Sequence, residues 1–145
     1  MRLLTKNFSY DELIASATAK RLGINNTPND EQKENLRRLA IEVLQPIRDA
    51  WRGAIVVSSG YRSEALNKAV GGAKTSQHLT GSAADIKPTK LTEGGKMYRL
   101  IQNMVNRGQI TVGQCIWEYG NSKNPQWIHV SLPTKTHKNE FFRVK

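Results

Sequence analysis

Two short stretches constrain this chain more than anything else in it. One is Ser76-Gln77-His78-Leu79-Thr80-Gly81-Ser82-Ala83-Ala84-Asp85, and the other, further along, is Trp127-Ile128-His129-Val130-Ser131. Two of the chain's three histidines fall in them. Two imidazoles and one carboxylate are the ligand set that holds a catalytic zinc and leaves a fourth position open for water. A fold that uses this set has to bring His78, Asp85 and His129 together. Gly81, Ala83 and Ala84 are small, as suits a place where backbone approaches a site closely. Together these residues point to a metal hydrolase.

Three blocks carry a resemblance: Ser59-Gly60-Tyr61-Arg62-Ser63, then Ser76-x-His78-x-x-Gly81-x-Ala83-x-Asp85, then Trp127-x-His129. In order and spacing, over about residues 55–132, they resemble the zinc D-Ala-D-Ala carboxypeptidase family, M15. The likeness is greatest to its small single-domain peptidoglycan peptidases, many of them encoded by phages and prophages. The opening Asn7-Phe8-Ser9-Tyr10-Asp11-Glu12-Leu13 is similar to the start of such domains. The resemblance implies a hedgehog/DD-peptidase-like α+β fold and a Zn2+ ion held by His78, Asp85 and His129. It also implies hydrolysis of peptide bonds in peptidoglycan stem peptides, as a D-Ala-D-Ala carboxypeptidase or an endopeptidase, with a phage or prophage lysin as one setting. By the same resemblance Arg62 holds a substrate carboxylate or the scissile carbonyl oxygen, the alternative being a structural arginine that bridges loops. Ser76 either donates to substrate or caps the turn that follows it. Tyr61 and Trp127 shape the walls of the cleft, with plain core as the other reading of Trp127. Many relatives carry an acidic residue three positions before the last histidine. Here that residue is Gln126, which cannot take a proton. Glu118, in Ile116-Trp117-Glu118-Tyr119, is similar to an acidic position of the phage-type members and is the candidate general base.

At 145 residues the chain fits one domain, 1–145, able to bury about two-thirds of its unfolded surface without staples. The single Cys115 excludes an intramolecular disulfide framework and suits a protein made in a reducing compartment. Its apolar neighbours make it a buried, inert thiol. No apolar segment is long enough to cross a bilayer. Met1-Arg2-Leu3-Leu4-Thr5-Lys6-Asn7 lacks the apolar core of a signal peptide. The expectation is a protein made in the cytoplasm that acts at the cell wall or periplasm after release. The net charge of +10 suits either a soluble basic surface or attraction to an anionic wall polymer. The basic residues form no dense run interleaved with stacking aromatics, which ranks nucleic acid last among the partners. The expected partner is a peptidoglycan peptide, and the expected state a monomer.

Ser9 with Glu12 three residues on reads as a capping box opening a short helix. Asn25-Asn26-Thr27-Pro28-Asn29 is turn chemistry. Leu36, Leu39, Ala40, Val43, Leu44 and Ile47 recur at helical spacing, so residues 30–50 read as one amphipathic helix that Pro46 kinks or ends. Residues 55–58 read as a buried strand, 64–69 as a short helix and 82–87 as a strand ended by Pro88. Residues 91–107 read as a helix with Met97, Leu100, Ile101, Met104 and Val105 on its inner stripe. Two strands, 112–119 and 126–132, are joined by the turn-rich Gly120–Pro125 as a hairpin. The polar tail leaves His137 solvated and packs Phe141-Phe142 back as a closing element. The result is an α+β chain with a small antiparallel sheet.

Alternation along a strand sends Trp127, His129 and Ser131 to one face and Ile128 and Val130 to the other. If Tyr119 pairs with Gln126, Glu118 lies opposite Trp127 and diagonal to His129, roughly 7–8 Å away on the same face. One residue can then bind metal while the other takes a proton. A slip of one residue sends Glu118 to the wrong face. A second class of function stays open: a non-catalytic zinc-containing module of the same fold that binds cell wall or protein.

Overall fold

The computed structural model describes residues 2–145. Ser9 caps the first helix, α1 (Tyr10–Ile14): its Oγ accepts from the Glu12 N–H at 3.1 Å, and Glu12 Oε1 accepts from the Ser9 N–H at 3.3 Å. A second short helix, α2 (Ala17–Leu22), starts at Ser16 and stops at Gly23 in the left-handed region. Periodicity alone does not announce so brief an element. Asn29 and Gln32 form another capping box at the start of α3 (Asp30–Leu39).

The long amphipathic segment continues through Pro46. A π-turn (Ala40–Leu44) follows α3, and α4 (Gln45–Trp51) follows the turn. Inside an α-helix the proline ring meets the carbonyl four residues back. Adding one residue to the turn ahead of Pro46 relieves that contact, so the helix neither breaks nor ends there. Leu36, Leu39, Ala40, Val43, Leu44 and Ile47, the stripe read from the sequence, are all fully buried.

Five strands form one sheet in the order β1-β2-β4-β3-β5. They are β1 (Ile55–Ser59), β2 (Ala83–Pro88), β3 (Gln114–Glu118), β4 (Trp127–Ser131) and β5 (Glu140–Val144). Between β1 and β2 lie α5 (Glu64–Ala69) and a 3-10 turn (Gln77–Thr80). Between β2 and β3 lie a second 3-10 turn (Leu91–Glu93) and α6 (Gly94–Asn106). The first four strands pair antiparallel, with Glu118 opposite Trp127 as the hairpin reading requires. The sheet departs from a purely antiparallel one at Phe141-Phe142, which form a strand parallel to β3. The chain leaving β4 crosses over the start of β3, where Asn139 and Glu140 N–H groups bond the carbonyls of Val112 and Gly113. It then runs down the far side. No crossover helix is needed, because β5 is parallel to β3 without following it directly in the chain.

One face of the sheet is apolar. Ala84, Ile86, Cys115, Trp117, Ile128 and Val130 join Leu39, Val43, Ile47, Met97 and Ile101 in a single core. Tyr98 of α6 packs edge-on against Trp117 and Phe141. The opposite face carries Asp85, Glu118, Trp127 and His129. Among the described residues no helix is long and apolar enough to cross a membrane.

Candidate metal centre

Three elements deliver the polar face of the site. The register sets Asp85 of β2 directly opposite His129 of β4. His78 arrives from the 3-10 turn, which α3 clamps from behind: Gln32 Nε2 donates to Leu79 O at 3.0 Å and Asn35 Nδ2 to Thr80 O at 2.9 Å. The approach is close enough that a Cβ on Gly81, at φ +76°, would stand 2.6 Å from the Gln32 carbonyl.

His78, Asp85 and His129 are 3%, 4% and 7% exposed. Their ligand atoms all lie within 4.8 Å of one another, a group that could hold a metal ion. Asp85 Oδ1 stands 3.2 Å from His78 Nε2 and 3.3 Å from His129 Nδ1. The outer nitrogens show what these contacts are. His78 Nδ1 is 2.7 Å from Gly60 O, which only accepts, so the ring hydrogen sits on Nδ1. His129 Nε2 is 2.9 Å from Gln77 Oε1, again an acceptor. In neutral rings the two inner nitrogens then present bare lone pairs to a carboxylate oxygen. Three converging electron pairs with no proton among them are the donor set of a bound cation, and the residues fit a metal ion on that ground. With both rings protonated instead, burial still disfavours the ionised Asp85, yet hydrogen bonds and charge from His129 and His78 outweigh it and hold the carboxyl well below the usual range.

Glu118 approaches from β3. Trp127, its cross-strand partner, donates Nε1–H to Glu118 Oε2 at 3.0 Å and is stacked edge-on by Tyr119. Half-buried, the Glu118 carboxyl is pushed above its ordinary value, first by burial and then by the charge of Asp85; the Trp127 hydrogen bond opposes both. Arg62 reaches the same region because β1 ends in a bulge: Val57 pairs with Ile86 and Ser59 with Asp85, so Ser58 is the extra residue. Arg62 donates Nε–H to Ser59 Oγ, an Nη1–H to Asn67 Oδ1 and an Nη2–H to Asp85 Oδ2, at 3.1, 3.3 and 3.4 Å. Three of five donors are engaged, leaving two.

The model of one protein family, described as Peptidase M15, matches residues 6–131. The chain belongs to the peptidase M15 family. No curated protein matches it.

Within this M15 chain the remaining sequence candidates fall differently. The Ser76 hydroxyl accepts from the His78 N–H at 3.2 Å and caps the 3-10 turn, the local half of its two readings. Tyr61 is 5% exposed and belongs to the core cluster. Trp127 is half-buried beside Glu118. Gln126 is exposed, and its N–H closes the hairpin on Glu118 O. Cys115 is fully buried on the opposite face, where burial pushes its thiol up. His137 keeps a side chain that is 44% exposed, as expected of a solvated tail, and its Nδ1 meets Glu140 Oε1 at 2.5 Å. Four polar residues escaped the sequence reading: Ser59, Asn67, Gln77 and Asn26. Asn26 bridges Ile14 O, Tyr61 O and the Ser63 N–H. Asn67 is 4% exposed and ties Arg62 to Ala73 O. Asn26 and Gln77 act through long-range contacts that no local pattern encodes, whereas Ser59 and Asn67 meet Arg62 from three and five residues away.

Proposed function

We propose that this M15 peptidase is a zinc enzyme that cleaves peptide bonds in peptidoglycan stem peptides, as a D-Ala-D-Ala carboxypeptidase or an endopeptidase. The observation that carries the reading is the set of three buried donors, His78, Asp85 and His129, whose ligand atoms lie within 4.8 Å of one another, with Glu118 and Arg62 beside it. Two imidazoles and one carboxylate suit zinc, a borderline ion that takes nitrogen and oxygen in tetrahedral sites with one position left open. When bound, zinc lowers the pKa of a water to about 7 and polarises a carbonyl.

The chain's own groups supply the rest. Glu118 is the general base. Trp127 pins one of its oxygens, leaving Oε1 to take a proton as an amide carbonyl is attacked, and a raised pKa brings it nearer the operating range of a base. Arg62, anchored at three points, offers its two remaining N–H groups to a substrate carboxylate or carbonyl oxygen, a two-pronged task that a lysine cannot copy. Its hold on Asp85 Oδ2 also orients that ligand. The basic surface, at net charge +10, draws the protein to an anionic wall polymer. The wall or periplasm is the place of action.

Digestion of purified peptidoglycan with zinc-loaded and chelated protein, followed by mass spectrometry of the new termini, tests the reading. Zinc-dependent appearance of new stem-peptide termini is expected, and their position tells exo from endo cleavage. A zinc-loaded protein that leaves the stem peptides intact would instead make the chain a binding module.

A further inference from the structure

Gln77 and His78 are neighbours on one 3-10 turn, yet their side chains serve different parts of the centre. His78 turns its Nε2 toward Asp85, and its outer nitrogen is bound by the backbone carbonyl of Gly60. The Gln77 carboxamide reaches across to β4, where its Oε1 stands 2.9 Å from His129 Nε2. His129 is thus held by a replaceable side chain, His78 by backbone. The two nitrogens of a neutral imidazole are not equivalent, and the partner of the outer one decides which of them is bare. An oxygen on Nε2 keeps the hydrogen there and leaves the Nδ1 lone pair facing Asp85 Oδ1, 3.3 Å away. A carboxamide turned the other way would donate to Nε2, move the hydrogen to Nδ1 and close the site to a cation.

We propose that Gln77 is a positioning residue that locks His129 in the Nε2–H form, so that Nδ1 is the metal-binding atom. One dipeptide then supplies one ligand and braces another, coupling the turn to β4. The inference rests on the metal reading above and adds to it the identity of the residue that prepares the third ligand before any ion arrives.

The test uses the full chain labelled with 15N-histidine, its ring nitrogens read by long-range 1H–15N correlation with and without zinc. In the metal-free parent His129 is expected to carry its proton on Nε2, and added zinc to shift Nδ1. Gln77→Leu removes the acceptor at similar size. It should mix the two tautomers of His129 and weaken zinc binding, measured by chelator competition, about 10–100-fold. Gln77→Glu keeps an oxygen in place and should restore both the tautomer and an affinity close to that of the parent. A parent with its proton on Nδ1, or a Gln77→Leu protein with the parent's tautomer and affinity, overturns the proposal. Should Gln77→Leu fail to fold, the parent spectrum and Gln77→Glu still decide. A parent that binds no zinc, or binds it equally after His129→Ala, sinks the metal reading instead, while the metal-free spectrum continues to judge the brace.

Discussion

The two faces of the sheet are built from the same strands and, where β2 pairs with β4, are buried to nearly the same degree, yet they do opposite work. Ile86 and Ile128 are neighbours on the helix-covered face, each fully buried; one residue away on the same strands, Asp85 and His129 are 4% and 7% exposed. On the first face burial is its own reward, since apolar area leaves water and meets apolar area. On the second it is a cost, met by Gly60, Gln77 and Arg62 acting as polar partners. Burial therefore says little by itself. What the buried atoms face decides whether a strand position stabilises the fold or prepares chemistry.

Substitutions that separate the faces sharpen this contrast. The largest effect is expected from Glu118→Gln, which keeps the shape of the side chain and the acceptor that Trp127 uses. Hydrolysis should fall about 10²–10⁴-fold, with zinc content and melting temperature near those of the parent. Near-normal turnover would remove Glu118 as base. On the other face Ile128→Ala should lose about 2–5 kcal/mol in denaturant unfolding, with zinc affinity per folded molecule retained. If it weakened zinc binding more than it destabilised the fold, the faces would not be independent.

Arg62→Lys comes next. Charge is kept and the fork is lost, so activity should fall roughly ten- to a hundredfold, the equivalent of a charge-assisted hydrogen bond of about 1.5–3 kcal/mol. A variant as active as the parent would show that charge alone suffices. The smallest effect is a shift of the pH profile. Trp127→Phe removes the hydrogen bond that lowers the Glu118 pKa, leaving burial and Asp85 to raise it further. A base works only when deprotonated, so the acidic limb of kcat/KM should move to higher pH. A limb unmoved in Trp127→Phe would mean that another group sets it.

The two faces were also unequally legible in the sequence. Period-two alternation and the Gly120–Pro125 turn foretold the pairing of Glu118 with Trp127, while the meeting of His78, Asp85 and His129 was foretold by their ligand chemistry and the resemblance to M15 peptidases. Helical periodicity picked out the stripe from Leu36 to Ile47. These are local rules of direction. The π-turn ahead of Pro46 is a compromise between a ring clash and a helix too well packed to stop, and no residue pattern announces which side wins. The parallel placement of Phe141-Phe142 depends on the path of a whole loop. Gln77 was in plain view beside His78, but its partner lies 52 residues away, and only the register of β4 against the turn reveals the contact.

The central claim is that the polar face is a metal site made by three particular side chains. Elemental analysis and zinc titration of the parent beside His78→Ala test it most directly. One zinc per chain is expected in the parent and loss of that site in the variant, while an apolar core left untouched keeps the variant folded. His78→Ala protein that retains stoichiometric zinc at the parent's affinity would contradict it.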